Sequence, residues 1–268
     1  MHDLKNITYF FVVIDMSAKT IFIALDTDLD LDGVLKVAGD IKNLYKKASD
    51  AFASHAAQIP QFAIKLGLEF FCRHGFYGVN KIEELGMDVF LDLKFFDISN
   101  TVCGAYRSLT KNSIGFVKYT TVHLLNGSDC LKALSNTKND LNMPNAPAII
   151  GVSLLTSLDK AYITECGFTD AKPDDLVLRL ANIGCNFVDG FVCSPLEAKM
   201  LSALFKQKHI ITPGVQLSNL ANDQKRTSTP SAAFANGATA IVIGRSITQA
   251  ADKQNVITAL LKDVLNLS

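Results

Sequence analysis

Apolar and polar positions divide the chain into two alternating kinds of segment. The first kind is short, apolar and rich in β-branched and aromatic residues: TIFIALD (20–26), FAIKLG (62–67), DVFLDLK (88–94), FVKYTTVH (116–123), AIIGVSLLT (148–156), FVDGFVCS (187–194), HIITPGV (209–215) and AIVIGRS (240–246). These eight runs are mostly continuous rather than alternating, the pattern of parallel strands buried on both faces. The second kind is longer and amphipathic at helical spacing, as in VLKVAGDIKNLYKKASDAF (34–52), DDLVLRLANIG (174–184) and LEAKMLSALFKQ (196–207). Asn182-Ile183-Gly184 and Asn236-Gly237 read as helix stops, and Thr229-Pro230 as an N-cap with a first-turn proline.

Strand followed by helix, repeated eight times in about 250 residues, predicts a single α/β domain, a closed (β/α) TIM barrel spanning residues 20–268. An open doubly wound sheet is the competing arrangement, but no GxGxxG follows the first strand. No linker rich in Pro, Gly or Ser divides the chain, and no strong repeat is visible.

Length and composition agree with one large domain. The chain has 268 residues, 49% of them hydrophobic, enough for a full core. Formal net charge is zero and the charges are interspersed, which argues against nucleic acid or an anionic membrane as partner. Six cysteines form no CxxC pair and read as free thiols of a reducing compartment. YFFVVI (9–14) falls far short of the ~20 apolar residues of a spanning helix, and the N-terminus makes a poor signal peptide. Residues 1–19 read as an extension packed on the domain, or as the product of an upstream start with Met16 the functional one. The expected location is the cytoplasm.

In a barrel of this kind the site lies at the C-terminal ends of the strands. Polar residues gather there: Asp26 on the first run, Lys65 on the second, Asp92 and Lys94 on the third, Thr156 and Ser157 on the fifth, Thr212-Pro213-Gly214 on the seventh, and Gly244-Arg245 on the eighth. Residues two apart on a strand share a face, so Asp92 and Lys94 point together while Leu91, Leu93 and Phe95 take the other side. A buried charge is tolerable only when paired. Asp92, Lys94, Lys65 and Asp97 therefore suggest a neutral ionic array at the barrel mouth. An ordinary rim ion pair is the competing reading of Asp92 and Lys94.

IVIGRS before a helix resembles a phosphate cradle, with Gly allowing close backbone approach and Arg a fork of donors; a tight turn with a surface Arg is the plainer alternative. QLSNLANDQKRTSTP (216–230) is a candidate lid or a solvated connector. His123 is open to a structural or a functional role, whereas His55, His74 and His209 read as ordinary surface or core residues. No GxSxG elbow, P-loop or HExxH occurs.

Taken together, IALD (23–26), KLGLEFF (65–71), FLDLKFFDISNT (90–101), TVH (121–123), LLTS (154–157), VCSPLEA (192–198), TPGV (212–215), DQKR (223–226) and IGRSIT (243–248) resemble the orotidine 5'-phosphate decarboxylase family, in order, from Thr20 to the C-terminus. The resemblance implies conversion of orotidine 5'-monophosphate to uridine 5'-monophosphate without metal or organic cofactor, in a homodimer with shared active sites. It implies Lys94 as proton donor to C6, Asp92 beside the substrate carboxylate, and Lys65 and Asp97 completing the array, Asp97 and Thr101 reaching in from the partner subunit. Asp26 would hold the ribose, Thr156 and Ser157 the pyrimidine, Gln224 the phosphate lid, and Gly244 and Arg245 the phosphate.

The chain departs from the family pattern at several points. Phe96 stands where a His is common and Ser99 where a Pro is, loosening a turn that should place Asp97 and Thr101. Gln216 replaces the usual Arg after PGV, VHLLNG replaces VHASGG, and GRS replaces GRP. Weaker phosphate binding with intact chemistry is the expectation. The rival functions are a Mg²⁺-dependent sugar-phosphate decarboxylase or aldolase on a related DxKxxD barrel, and a non-catalytic barrel that binds a phosphate ligand.

Overall fold

The computed structural model describes residues 19–158, 160–167, 172–217 and 228–267. Strands and helices alternate throughout. The order is β1 (Thr20–Ala24), α1 (Leu31–Ala51), β2 (Gln61–Leu66), α2 (Leu68–Glu84), β3 (Asp88–Phe95), α3 (Ser99–Asn112), β4 (Val117–His123), α4 (Gly127–Asp140) and β5 (Ala148–Val152). There follow α5 (Lys160–Glu165), α6 (Pro173–Gly184), β6 (Gly190–Val192), α7 (Pro195–Leu204), β7 (His209–Thr212), α8 (Pro230–Ala235), β8 (Ala240–Ile243), α9 (Arg245–Thr248) and α10 (Lys253–Leu265). Every strand pairs in parallel with its sequence neighbours, and Thr20 of β1 pairs with Ala240 of β8, closing the barrel.

Period-two alternation sorts the strand residues. Phe22, Ala63, Phe90, Ile150, Ile211 and Val242 point inward and fill the barrel, with Tyr119 packed against them. The Phe22 and Phe90 rings lie 5.1 Å apart and Tyr119 meets Phe22 edge-on at 5.5 Å, the offset geometry aromatic quadrupoles prefer. The alternate residues face the helices. Ile21, Ile23, Ile64, Leu66, Val89 and Leu91 pack under α1, α2 and α10, while Val122, Ile149, Phe191 and Ile210 pack under the helices of the other half. Both faces are thus apolar, which is why the runs read as continuous.

The local signals act as expected at several ends. Thr229 caps α8 by accepting from the Ala232 N–H at 3.2 Å, with Pro230 in the first turn. Gly237 follows that helix at φ +89°, a conformation that glycine adopts without a Cβ penalty. The sixth run is shorter than its apolarity suggests. Phe187 and Val188 donate their N–H groups to the Gly184 carbonyl, so they close the turn that ends α6, and β6 begins only at Gly190. Among the described residues no helix is long and apolar enough to cross a membrane.

Candidate active site

Three strands deliver four charges to one place. Asp26 lies two residues beyond β1, Lys65 on β2, Asp92 and Lys94 on β3. Lys65 Nζ sits 2.5 Å from Asp26 Oδ2 and 3.7 Å from Asp92 Oδ2, and Lys94 Nζ sits 2.8 Å from Asp92 Oδ2. The result is an alternating chain, Asp26–Lys65–Asp92–Lys94, neutral as a whole. Asp92 is buried. Burial alone would raise its carboxyl; Lys65, Lys94 and the hydrogen bonds from Lys94 and Thr121 outweigh that and hold it below the ordinary carboxylate range. The carboxylate therefore stays charged at neutral pH, and Lys94 is fixed beside it. Asp26 is held in turn by the Gly67 N–H, 2.7 Å from its Oδ1. A Cβ on residue 67 would come within 2.6 Å of that oxygen, so the approach requires glycine.

The backbone at Lys94 is irregular. Asp92 and Lys94 share the mouth while Leu91, Leu93 and Phe95 pack toward the helices, as the alternation predicts, but Lys94 has φ +48°, uncommon for a residue with a side chain. Leu91 pairs with Thr120 and Phe95 with Val122. β3 therefore takes four steps where β4 takes two, a bulge of the kind that re-aims a side chain near active sites. The freed Lys94 N–H donates to Thr121 Oγ1 at 2.8 Å.

Beside Asp26 a cavity opens between the ends of β1, β7 and β8. Ala24, Asp26, Gly214, Gln216, Gly244 and Arg245 line it, together with the Ser246 and Thr248 hydroxyl-bearing residues of α9. Gly244 and Arg245 thus meet Gln216 at one concave wall. Gln224 lies outside the described residues.

The remaining sequence-derived candidates stand apart from the array in the single chain. Asp97 and Thr101 are exposed, as are Thr156 and Ser157 beyond β5. Asp97 Oδ1 accepts from the Ile98 N–H at 2.7 Å. Around it Phe96, Ile98 and Leu125 present 62%, 72% and 50% of their surface to solvent. The turn before Ser99 is tied from the segment that follows β4. Asn126 Oδ1 accepts from the Asp97 N–H at 3.2 Å, and its Nδ2 donates to the Phe95 and His123 carbonyls at 2.9 and 3.0 Å. His123 packs its ring 5.5 Å from Phe96, and its Nδ1 accepts from the Leu125 N–H at 3.4 Å. Burial, then Lys94, lowers its pKa, so it is neutral at pH 7. The sequence reading assigned no role to Gly67, Thr121 or Asn126. KLG and TVH were visible as segments, but only the fold shows which polar group each residue meets.

Comparison with known proteins places the chain in a family. The model of the Orotidine 5'-phosphate decarboxylase / HUMPS family matches residues 19–260. The chain is similar to proteins named orotidine 5'-phosphate decarboxylase from Coxiella burnetii (35% identical over 204 residues, 75% of this chain and 85% of the relative) and Erythrobacter litoralis (39% over 198 residues, 71% and 82%). A third, from Sphingopyxis alaskensis, is 35% identical over 234 residues, 87% of this chain and 93% of the relative. The crystal structure of orotidine 5'-phosphate decarboxylase from Lactobacillus acidophilus superposes with a TM-score of 0.69 at 27% identity, covering 92% of this chain and 99% of that one. A match that runs through all eight strands, with relatives covered over most of their length, is decisive: the chain belongs to the orotidine 5'-phosphate decarboxylase / HUMPS family.

Proposed function

We propose that the chain decarboxylates orotidine 5'-monophosphate to uridine 5'-monophosphate, the closing step of UMP synthesis, with the charge array as its catalytic centre. The observation that carries this reading is the Lys94 ammonium, fixed 2.8 Å from the buried Asp92 carboxylate at the mouth of the barrel. The C6–carboxylate bond breaks, CO2 leaves, and the electron pair stays on C6 as a vinyl carbanion that the ring π-system does not delocalise. An ammonium already in position stabilises that charge where it develops and then protonates C6. Solvent afterwards returns a proton to Lys94. Asp92 lies beside the departing carboxylate, and Lys65 keeps Asp92 and Asp26 in place.

Asp26 holds the ribose. Gly244, Arg245 and Gln216 receive the phosphate, with Gln224 on the lid above it. Binding energy from the phosphate, remote from C6, contributes to the chemical step. Thr156 and Ser157 contact the pyrimidine. The protein works as a cytoplasmic homodimer in which Asp97 and Thr101 of each subunit complete the other's site. Two features support the dimer: Asp97 stands outside its own array, and apolar side chains surround it. No metal or organic cofactor takes part.

The test is the absorbance change on mixing protein with orotidine 5'-monophosphate in EDTA, wild type beside Lys94→Ala. Turnover by the wild type, lost in the variant, is the expected result. A wild type that turns over sugar phosphates with Mg²⁺ and leaves orotidine 5'-monophosphate untouched would overturn the proposal.

A further inference from the structure

The bulge in β3 frees the Lys94 N–H at the centre of the site, opposite Thr121 of β4. Thr121 lies between the two β4 residues, Thr120 and Val122, that pair on either side of the bulge. It is completely buried. Its hydroxyl accepts the Lys94 N–H at 2.8 Å and donates to Asp92 Oδ1 at 2.9 Å. A hydroxyl has one donor and two acceptor sites, so a single oxygen serves both residues. The first bond holds a lysine backbone in the left-handed region, which any residue with a Cβ enters only when the surroundings impose it. The second fixes the carboxylate oxygen not engaged by the lysines, since Lys65 and Lys94 both bind Oδ2. The adjacent Thr120 is also buried, but among the described residues its hydroxyl has no hydrogen-bond partner. The two neighbouring threonines point to opposite faces of β4, and Thr121, on the face shared with Asp92, is the one whose hydroxyl holds polar groups.

We infer that Thr121 is a positioning residue for the decarboxylation: its hydroxyl locks the Lys94 main chain and the Asp92 carboxylate into one rigid unit and so fixes where the ammonium points. The inference rests on the decarboxylase reading above. It predicts an effect on the chemical step rather than on ligand affinity, because Thr121 is absent from the phosphate cavity. It also predicts an effect on pH. Asp92 faces Lys65 of β2 and Lys94 of its own strand, with Asp26 reached through Lys65 and His123 of β4 near Lys94. Loss of a hydrogen bond to the charged carboxylate moves the ionisation of Asp92 to higher pH.

Four proteins decide the matter: wild type, Thr121→Val, Thr121→Ser and Thr120→Val. Each is measured for kcat on orotidine 5'-monophosphate across pH and for calorimetric binding of uridine 5'-monophosphate, which also counts folded sites. Thr121→Val should lose about 10- to 100-fold in kcat, the range set by one charge-assisted hydrogen bond. Its affinity for uridine 5'-monophosphate should hold, and its acid limb should move upward. Thr121→Ser, which keeps the hydroxyl and drops the methyl, should restore both kcat and the limb, and Thr120→Val should match wild type. If the valine variant fails to fold, Thr121→Ala is read against Thr121→Ser in the same way. Serine at least as impaired as valine or alanine would show a packing role and overturn the inference, as would wild-type kcat in either hydroxyl-free variant. A wild type that binds uridine 5'-monophosphate without turning over substrate would instead overturn the decarboxylase reading beneath it.

Discussion

At the scale of single residues, Gly67 and Asp92 carry the sharpest consequences. Gly67→Ala puts a methyl 2.6 Å from Asp26 Oδ1, so Asp26 must move away from the Gly67 N–H. We expect affinity for uridine 5'-monophosphate to fall by about 1–3 kcal/mol, read by calorimetric titration; an unchanged Kd would mean Asp26 does not touch the ligand. For Asp92 the folded pKa is depressed by its lysine and hydroxyl partners despite burial. Its pairing then contributes stability in full above the ordinary carboxylate value of about 4, and that contribution is lost as pH falls from there through the lower folded pKa. Thermal melts of Asp92→Asn and wild type should differ at pH 7 and draw together below pH ~4. A gap that widens on acidification would contradict the sign. Asp92, Lys94 and Lys65 were legible in the sequence because charges in an apolar run must meet partners. The left-handed Lys94 was not, since nothing in VFLDLKFF marks where pairing with β4 slips.

At the scale of elements, strands buried on both faces announce themselves as continuous apolar runs, so all eight could be placed from sequence. Their ends could not, as β6 shows, because apolar residues also close helices. The anchoring of one element on another was equally hidden. Glu83 in the last turn of α2 is fully buried, and its carboxylate accepts from the Ser113 hydroxyl and from the N–H groups of Ile114, Phe116 and Val117 at 2.7–3.1 Å. One glutamate thus fastens the approach to β4, the strand that carries Thr121. Glu83→Ala should cost about 3 kcal/mol, roughly 6–12 °C in Tm for a chain of this length; a calorimetric shift of less than about 2 °C would show the loop to be held otherwise. At the β7 and β8 ends, Gln216→Arg should lower the KM for orotidine 5'-monophosphate by adding a cation to the phosphate wall. An unchanged KM would show that Ser246 and Thr248 already supply what Gln216 lacks.

At the scale of the whole molecule, the barrel has no free strand edge, so the second subunit of the proposed dimer would dock on loops or helices. The exposed Phe96, Ile98 and Leu125, close to Asp97, are the surface that the proposed dimer would use. If each site borrows Asp97 from the other chain, Lys94→Ala and Asp97→Ala are complementary defects. Mixed and re-equilibrated in equal amounts, the two inactive proteins should recover about a quarter of wild-type activity, because half the dimers are hybrids with one intact site each. Mixtures as dead as their parents would place Asp97 in its own subunit's chemistry or in none. The same short connection between β3 and α3 then has two ligands, the neighbouring chain and the nucleotide. Linkage makes their effects reciprocal. Whatever factor the second subunit adds to nucleotide affinity, the nucleotide returns to subunit affinity. Cells rich in pyrimidine nucleotide would hold the enzyme assembled, and dilute, nucleotide-starved enzyme would fall apart first.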